Sequence, residues 1–247
     1  MLRLDQAMVD RGISDSREKA KRAILAGQVR VNQQVARKAS DAVKPNDEIT
    51  LEAQEKFVSR GGHKIEHALD FFKIDVSNLT TIDLGASTGG FTDCLLQRGA
   101  AKVYAVDVGH GQLAWKLRTD PRVVVMERTN ARQLTPSQFP QPFAPADLIV
   151  ADCSFISLKK ILPPAIALLR SGGKIAALVK PQFEAGKEEA DRGAGVIRDP
   201  KIHARVLAEL KQFSEEELKL RWIGQTESPL LGPAGNKEFL VLLEKEA

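Results

Sequence analysis

Asp83-Leu84-Gly85-Ala86-Ser87-Thr88-Gly89-Gly90-Phe91 follows a predicted strand, 81–84, and opens a predicted helix. Glycines in such a turn let the backbone approach a ligand closely, because they carry no Cβ. In a sheet of parallel strands this turn lies at the carboxyl edge, where ligands bind. Its spacing differs from G-x-G-x-x-G and it lacks the Lys-Ser/Thr that ends a P-loop, so a dinucleotide or a nucleoside triphosphate is disfavoured.

The chain after residue 62 alternates between apolar strands and helical stretches. Helices are predicted at 63–72, 158–170 and 201–212, and two further strands at 218–226 and 239–243 close the chain. This alternation predicts an α/β, Rossmann-like fold: a mostly parallel sheet with helices on both faces and an antiparallel last strand. The parallel strands are predicted at Thr81–Leu84, Val103–Val108, Val123–Met126, Leu148–Ala151 and Ile175–Val179.

Polar residues at the strand ends extend the predicted site. Asp107 ends the second strand, where a carboxylate can accept hydrogen bonds from both hydroxyls of a ribose. An acid in the first strand, a glycine turn and an acid after the second strand are the arrangement of S-adenosylmethionine-binding enzymes. We expect Asp83 to face the cationic methionine end of that cofactor and Asn130 to contact the adenine. The alternative is an α/β core whose glycine-rich turn serves packing alone.

The first 60 residues have a different pattern. Two short helices are predicted within 3–25, followed by strands at Val29–Val31 and Ile49–Leu51, which together make a small α+β unit. We therefore expect a small domain at 1–54, a linker at 55–62 and the α/β domain at 63–247.

The positive charge of the chain is concentrated near its N-terminus. The net charge is only +4 over 247 residues, but residues 11–38 carry 8 basic and 2 acidic side chains. A local basic patch is typical of a nucleic-acid footprint, although a solvated helix face has the same composition. Aromatic residues make up 5% of the chain, so stacking on bases contributes little to such binding.

Composition excludes several classes of protein. No apolar run approaches the ~20 residues that span a bilayer, and the N-terminus lacks the apolar stretch of a signal peptide. Two cysteines do not make a disulfide framework. We expect a cytoplasmic protein with reduced thiols.

Segments along nearly the whole chain resemble one family. Residues 63–247 resemble the Rossmann-like, S-adenosylmethionine-dependent ribose 2′-O-methyltransferases of the FtsJ group, and the whole chain resembles the TlyA (hemolysin A) family. That family joins a ribosomal-type (S-four-like) RNA-binding domain to such a methyltransferase, and its members are implicated in methylating cytidine 2′-hydroxyls of rRNA. The segments that carry the resemblance are Ser59-Arg60-Gly61-Gly62-His63-Lys64, the Asp83–Asp93 turn, Asp152-Cys153-Ser154-Phe155-Ile156-Ser157, Leu178-Val179-Lys180-Pro181-Gln182-Phe183-Glu184 and Gly235-Asn236-Lys237-Glu238.

The resemblance implies a cofactor, a partner and a site. S-adenosyl-L-methionine is the implied cofactor and rRNA or ribosomal subunits the partner, with no membrane, no metal and a monomer favoured over an oligomer. The family's Lys-Asp-Lys-Glu tetrad falls at Lys64, Asp152, Lys180 and Glu238. The implied cofactor-binding residues are Asp83, Gly85, Ala86, Ser87, Gly89, Gly90, Phe91, Asp107, Asn130 and Asp152.

The chemistry explains why such a tetrad is needed. A ribose hydroxyl must lose its proton as it attacks the sulfonium methyl, and a lysine can take that proton only if its pKa is lowered toward neutrality. A second ammonium nearby has this effect, because like charges disfavour the protonated form. We expect Lys180 to be the base and Asp152 to position it, while Lys64 and Glu238 orient the hydroxyl and tune the charge.

Residues 2–51 resemble the small RNA-binding domain of the family. The matching stretches are Arg3-Leu4-Asp5, Ser16–Ala20 and Ile24–Asn32, and Gln33 stands where the family usually has glycine. With few aromatic residues, recognition should rest on RNA shape and backbone. The residues expected to contact RNA are Arg3, Arg17, Lys21, Arg22, Arg30 and Arg60.

Other interpretations of single motifs stay open. His63-Lys64-Ile65-Glu66-His67 matches the zinc-protease pattern H-x-x-E-H, with Lys64 as a cation inside it. Cys153 is a candidate nucleophile for cytosine C5 methylation. Asp152-Cys153-Ser154-Phe155 stands where amine N-methyltransferases have Asp/Asn-Pro-Pro-aromatic, but both prolines are absent.

Two further function classes and one segment complete the alternatives. The family's historical name suggests a membrane-lytic protein, and a non-catalytic RNA binder is the third class. The segment 184–200, rich in glycine and charge, is interpreted either as a lid over the target nucleotide or as a plain connecting loop.

Overall fold

The computed structural model describes residues 1–52 and 55–246, and the backbone alone at 187 and 192. The chain divides into two units, Met1–Lys56 and Phe57–Ala247. The expected border between small domain and linker, at residue 54, lies outside the described residues.

The N-terminal unit packs two short helices against short antiparallel strands. Ser16 caps the second helix by accepting a hydrogen bond from the Lys19 amide at 3.3 Å. Leu25 is 77% exposed, because its neighbour Ile24 occupies the core side of the last turn. The elements are β1 (Leu2–Arg3), α1 (Leu4–Asp10), α2 (Arg17–Leu25), β2 (Val29–Val31), β3 (Gln34–Val35), β4 (Ala42–Val43) and β5 (Ile49–Leu51).

A tight hairpin joins β2 to β3. Its two loop residues, Asn32 and Gln33, have φ angles of 50° and 67°. Two successive left-handed residues make a type I′ turn, whose twist matches that of the paired strands. The structure thus keeps the hairpin although Gln33 stands where the family usually has glycine, and Gln33 bears the steric cost of its Cβ.

The larger unit contains a seven-stranded sheet and confirms the predicted α/β fold. The strand order is β11-β12-β10-β9-β6-β7-β8, and every neighbouring pair is parallel except those of β12, which is antiparallel to both β10 and β11. The strands are β6 (Thr80–Leu84), β7 (Lys102–Val106), β8 (Val123–Met126), β9 (Ala146–Ala151), β10 (Leu169–Val179), β11 (Leu220–Glu227) and β12 (Phe239–Lys245).

Helices cover both faces of this sheet. Alternate residues of each strand enter different cores: Ile149 and Ala151 of β9 belong to one hydrophobic cluster, whereas Leu148 and Val150 belong to the other. Both cores are closed by helices, as expected for a parallel sheet. The helices are α3 (Gly61–Phe71), α4 (Gly90–Gln97), α5 (Trp115–Arg118), α6 (Leu162–Ile166), α7 (Pro181–Glu184), α8 (Lys187–Arg192) and α9 (Pro200–Gln212).

The predicted helix over 158–170 is wrong in extent. A 3-10 turn at Leu158–Lys160 comes first, and α6 covers only Leu162–Ile166. Pro163 and Pro164 lack an N–H and therefore fit only the first turn of a helix, which fixes where α6 begins. Leu169, predicted as helical, already pairs with Ala146 of β9 as the first residue of β10.

The β2–β3 hairpin makes the first prediction. Gln33→Gly should stabilise the N-terminal unit by about 0.5–1 kcal/mol, because relief of the left-handed backbone strain exceeds the extra entropy of glycine in the unfolded chain. Amide hydrogen exchange of β2 and β3 in the full chain measures this change. Gln34→Gly is the matched control: Gln34 lies in an exposed strand and its replacement should destabilise the same unit. Equal effects of both substitutions would contradict the prediction.

Candidate active site

Sheet topology brings the predicted catalytic residues to one edge. Asp152 directly follows β9 and Lys180 directly follows β10, so both stand at the carboxyl ends of neighbouring parallel strands. Glu238 directly precedes β12, and because β12 runs antiparallel, its beginning lies at that same edge, where Val179 pairs with Phe239. Lys64 lies in the first turns of α3.

The four tetrad side chains form two ion pairs. Lys64 Nζ donates to Glu238 Oε2 at 2.6 Å, and both side chains are buried. Lys180 Nζ lies 2.6 Å from Asp152 Oδ1 and donates a hydrogen bond to Ser154 Oγ at 2.8 Å. Each ammonium is therefore matched by one carboxylate, and the tetrad is neutral as a whole.

One cavity of about 290 Å³ brings this tetrad together with the glycine turn. We call it the tetrad cavity. It contains all four tetrad residues, and Arg60 lies at its border as an exposed side chain. The other residues that line it are Ser59, Gly61, Gly85, Ala86, Ser87, Thr88, Gly90, Phe91, Ser154 and Pro233.

The glycines of the turn serve different purposes. Gly85 has φ +85°, and a Cβ there would lie 2.7 Å from the carbonyl oxygen of Asp152, so only glycine lets β6 and β9 approach at this edge. The missing Cβ of Gly89 would meet the Leu117 side chain, and that of Gly90 would meet Ser59. Gly89 and Gly90, predicted to bind the cofactor, thus also serve close packing within the protein.

Asp83 is fully buried inside the edge of the sheet. Its Oδ2 accepts hydrogen bonds from the amide and the hydroxyl of Thr92, at 3.0 and 2.7 Å. Its Oδ1 is buried and has no hydrogen-bond partner among the described residues. Burial raises the pKa of Asp83 to about 7, and the charges of Asp152 and Asp107 add to the effect. Three carboxylates within electrostatic range of one another favour a cationic ligand.

Asp107 and Asn130 line a second cavity of about 520 Å³, which we call the Asp107 cavity. Asp107 accepts hydrogen bonds from the amides of Ser87, at 2.8 Å, and Gly109, at 2.7 Å, so its carboxylate has a fixed orientation. Asn130 Oδ1 accepts the amide of Arg132 at 3.0 Å. Residues of the Asp107 cavity shared with the tetrad cavity are Gly85, Ser87, Asp152 and Ser154.

These features fit S-adenosylmethionine. Asp83 Oδ1, which has no hydrogen-bond partner in the described ranges, can accept hydrogen bonds from the ammonium of the methionine part. The Asp107 cavity has room for a nucleoside, and it adjoins the tetrad cavity through shared residues. An uncompensated buried carboxylate is costly unless it meets a cation, so this donor set favours a positively charged cofactor.

Sequence reasoning missed several supporting residues. Thr92 holds Asp83, and Ser154 holds Lys180. Glu184 accepts hydrogen bonds from Ser157 Oγ at 2.6 Å and from the Leu158 amide at 2.7 Å, which ties α7 to the loop after β9. Burial raises the pKa of Glu184. Thr92, Ser154 and Glu184 stand inside or next to the motifs quoted above, and this position in the motifs was the available signal.

The surroundings of the H-x-x-E-H pattern and of Cys153 do not fit a zinc site or a nucleophilic cysteine. His63 packs edge-on against Phe57, with ring centroids 5.1 Å apart, and His67 Nε2 lies 3.1 Å from Thr226 Oγ1. Within 1–52 and 55–246, no group of three or more His, Cys, Asp or Glu side chains is placed to hold a metal ion. Burial and, secondarily, the charge of Asp152 raise the pKa of Cys153 to about 12, which disfavours the thiolate that nucleophilic attack needs.

Several basic residues of the N-terminal unit pair with acidic neighbours. Asp5 is fully buried and accepts hydrogen bonds from Arg3 Nε at 3.0 Å and Arg17 Nη2 at 2.9 Å. These bonds, that of Arg3 first, lower the pKa of Asp5 to about 2. Lys21 pairs with Glu18, and Arg30 pairs with Glu52. Arg22 is exposed on α2, whereas Arg60 belongs to the other unit.

In the part of the chain that the structure describes, no helix combines the length and the apolar character that a membrane crossing requires.

Comparisons with known proteins agree with this architecture. The FtsJ-like methyltransferase model matches residues 57–245, and the S4 domain model matches residues 2–49. YqxC of Bacillus subtilis, provisionally named an rRNA methyltransferase, is 49% identical over 98% of this chain and 85% of its own length. The 16S/23S rRNA (cytidine-2′-O)-methyltransferase TlyA of Mycobacterium tuberculosis is 47% identical over 99% of this chain and 90% of its own length.

A solved structure has a similar fold. A Streptococcus thermophilus protein, provisionally named a hemolysin, has a TM-score of 0.75 and 43% identity, covering 99% of this chain and 88% of that one. The family model covers most of the chain, and the relatives are similar over nearly its full length. The chain therefore belongs to the FtsJ-like methyltransferase family and, by its S4 domain and near full-length similarity to TlyA, to the TlyA group within it.

Proposed function

We propose that this protein is an S-adenosylmethionine-dependent RNA methyltransferase that modifies the ribose 2′-hydroxyl of cytidines in rRNA. The observation that carries the proposal is the pairing of Lys180 with Asp152 and of Lys64 with Glu238 in one cavity beside the glycine turn. The name of the M. tuberculosis relative, a cytidine-2′-O-methyltransferase of 16S and 23S rRNA, supports the substrate. Such a substrate places the protein with ribosomes in the cytoplasm.

The carboxylates of the sheet edge are the proposed cofactor ligands. S-adenosylmethionine supplies, when bound, an electrophilic methyl group on a positively charged sulfur. Asp83 would hold the amino group of the cofactor through its unpartnered Oδ1, and Asp107 would hold the ribose hydroxyls. Asn130 remains the proposed contact of the adenine, with its Oδ1 already accepting the Arg132 amide.

Lys180 is the proposed base. The 2′-hydroxyl must give up its proton as its oxygen becomes methylated, and the neutral form of a lysine can accept it. Asp152 and Ser154 contact Nζ at 2.6 and 2.8 Å from two directions. The ion pair with Asp152 and the hydrogen bond to Ser154 would together orient Nζ toward the hydroxyl.

Glu238 and Lys64 are the proposed partners of the hydroxyl. Glu238 Oε2 is bound to Lys64, whereas Oε1 is buried and has no hydrogen-bond partner among the residues described. Before the reaction, this acceptor can bind the 2′-O–H and turn its oxygen toward the methyl group, and the same proton then passes to Lys180 as the new O–C bond forms. Lys64 balances the charge of Glu238, which offsets part of the cost of burying this carboxylate.

The N-terminal unit is the proposed RNA-binding domain. Asp5 uses two N–H groups of Arg3 and one of Arg17, and an arginine has five. The remaining N–H groups of these half-exposed side chains can therefore bind RNA phosphates.

The product of the reaction is the direct test. Labelled S-adenosylmethionine, incubated with ribosomal subunits and the full chain, should transfer its methyl group to a ribose, and nucleoside mapping should return 2′-O-methylcytidine. Lys180→Met should lower the rate by about 10²–10⁴-fold, because a general base contributes that much. Methyl groups found on a base amine would instead support the N-methyltransferase alternative.

Lys174→Met is the control for Lys180→Met. Lys174 lies on the same strand, β10, before the stretch that leads to the site, and it pairs in register with Glu244 of β12. Its replacement should leave the rate unchanged. Cofactor binding by the Lys180→Met protein, measured by calorimetry, shows whether that variant is folded.

The raised pKa of Asp83 predicts pH-dependent cofactor binding. Above pH 7 the carboxylate is ionised and attracts the cationic cofactor, whereas below pH 7 it must first lose a proton. The Kd should therefore rise as pH falls below about 7, by up to about tenfold per pH unit. Calorimetry between pH 5.5 and 8 measures this change. Asp83→Asn should bind the cofactor weakly at every pH, with no pH dependence of the Kd. Asp75→Asn, which replaces an exposed acid, should show the same pH dependence as the unaltered protein. A flat profile for the unaltered protein would contradict the prediction.

Phosphate contacts predict a salt dependence of RNA binding. The logarithm of the affinity should fall linearly with the logarithm of the salt concentration, and Arg17→Ala should reduce the slope by about 0.7–0.9, the value of one phosphate contact. Filter binding of an rRNA fragment at several salt concentrations measures it. Lys102→Ala is the control, since Lys102 starts β7 at the sheet edge opposite the tetrad; an equal loss of slope there would refute an Arg17–phosphate contact.

A further inference from the structure

Asn236 belongs to the motif Gly235-Asn236-Lys237-Glu238, in which only Glu238 has a proposed role. Its side chain is 1% exposed. Nδ2 donates to the carbonyl oxygen of Gly195 at 2.8 Å, and Oδ1 accepts the amide of Ile197 at 2.9 Å. The two ends of one side-chain amide thus bind the backbone of one distant segment, 195–197.

That segment is the C-terminal end of the connection between α7 and α9. Ile197 is also held from its other side, because His203 Nε2 lies 3.0 Å from its carbonyl oxygen. At the N-terminal end of the connection, Glu184 is bound by Ser157 and Leu158. Helix α8 therefore lies between two residues that are held by hydrogen bonds, Glu184 and Ile197. Asn236 provides one of the hydrogen bonds that hold Ile197.

Asn236 also belongs to the loop that leads into Glu238. The Gly232 amide donates to the Asn236 carbonyl oxygen at 2.9 Å, and the Ser228 amide donates to that of Glu238 at 2.8 Å. A Cβ on Gly232 would lie 2.6 Å from Glu238 Oε1, so this loop packs directly on the carboxylate. A shift of Asn236 would therefore also move Glu238, which lies two residues later in the same loop.

A third cavity, of about 420 Å³, is lined both by residues of the connection between α7 and α9 and by residues of the tetrad. Its lining includes the tetrad residues Lys180 and Glu238 together with Ala190, Gly195 and Asn236. The bonds of Asn236 therefore join the connection 185–197 to a wall of the site that carries two tetrad residues.

We infer that Asn236 is a positioning residue: by binding residues 195–197, it fixes the loop that carries Glu238 and so places that carboxylate against the target ribose. This inference rests on the proposed function. The side chain fits the task, because aspartate cannot donate to Gly195 and glutamine is longer by one methylene. Glu238 then has a fixed place before RNA arrives, as an oriented hydrogen bond to the ribose requires.

Single-turnover methyl transfer to ribosomal subunits tests the inference. Asn236→Ala should lower the rate at saturating cofactor and RNA by about 10- to 100-fold, because misplacing a reacting group by a fraction of an ångström has that effect. Its cofactor Kd should stay within about twofold, since Asn236 is outside the Asp107 cavity. In an Glu238→Ala background, the same substitution should change the residual rate less than about twofold, because residues that act through one another are not additive.

Controls separate this role from a general loss of structure. Lys237→Ala, at the neighbouring residue with an exposed ion pair to Glu227, should leave the rate unchanged. Asn236→Asp keeps the acceptor and the volume but not the donor, so its rate should fall between those of the unaltered protein and Asn236→Ala. If Asn236→Ala loses cofactor binding altogether, that variant is misfolded, and the rate of Asn236→Asp then tests the inference in its place.

Three outcomes would overturn the inference. They are an unchanged rate in Asn236→Ala, a full rate in Asn236→Asp, and a loss that adds completely to that of Glu238→Ala. Failure of the proposed function has a different signature, since the unaltered protein would then methylate no ribose at all.

Discussion

The direction of β12 determines where the site can form. Six strands of the sheet run one way, and a tetrad assembled only from their carboxyl ends would consist of residues that follow strands. Because β12 runs the opposite way and pairs Phe239 with Val179, a residue that precedes this strand reaches the same edge. Glu238 is placed beside the end of β10 in this way, so the loop before β12 shares the site with the loop after β10.

The tetrad is stabilised by pairing each lysine with one carboxylate. Two ammonium groups and two carboxylates in a largely buried place would each be costly alone, and pairing offsets that cost. Each Nζ contacts its own carboxylate, that of Lys64 the carboxylate of Glu238 and that of Lys180 the carboxylate of Asp152. That a second ammonium lowers the proton affinity of the base stays a prediction. Ser154 adds a neutral hydroxyl to one pair only. The two lysines therefore have different surroundings, as a base and an orienting group require.

Much of the fold could be predicted from the sequence, because strand periodicity and the carboxyl-edge rule are local properties. Asp107, Asp152 and Lys180 follow strands directly, so their shared edge follows from topology alone. The tetrad as a set, with Lys64 on a helix and Glu238 before an antiparallel strand, came from the family resemblance, since no local pattern joins them. The end of α6 escaped prediction because Leu168 and Leu169 are apolar in a way that suits helix and strand equally. Hydroxyl partners such as Thr92 escaped because their residue types are common on any surface.

Two buried oxygens connect stability with function. Asp83 Oδ1 and Glu238 Oε1 have no hydrogen-bond partner in the described part of the chain, and an unsatisfied buried acceptor costs about 1–3 kcal/mol. A ligand that donates a hydrogen bond to either oxygen recovers that free energy when it binds. In the proposed function, the donor to Asp83 is the ammonium of the cofactor and the donor to Glu238 is a hydroxyl of the RNA ribose. The two acceptors therefore lower the stability of the protein without its ligands and add to the affinity for ligands that donate a hydrogen bond to them.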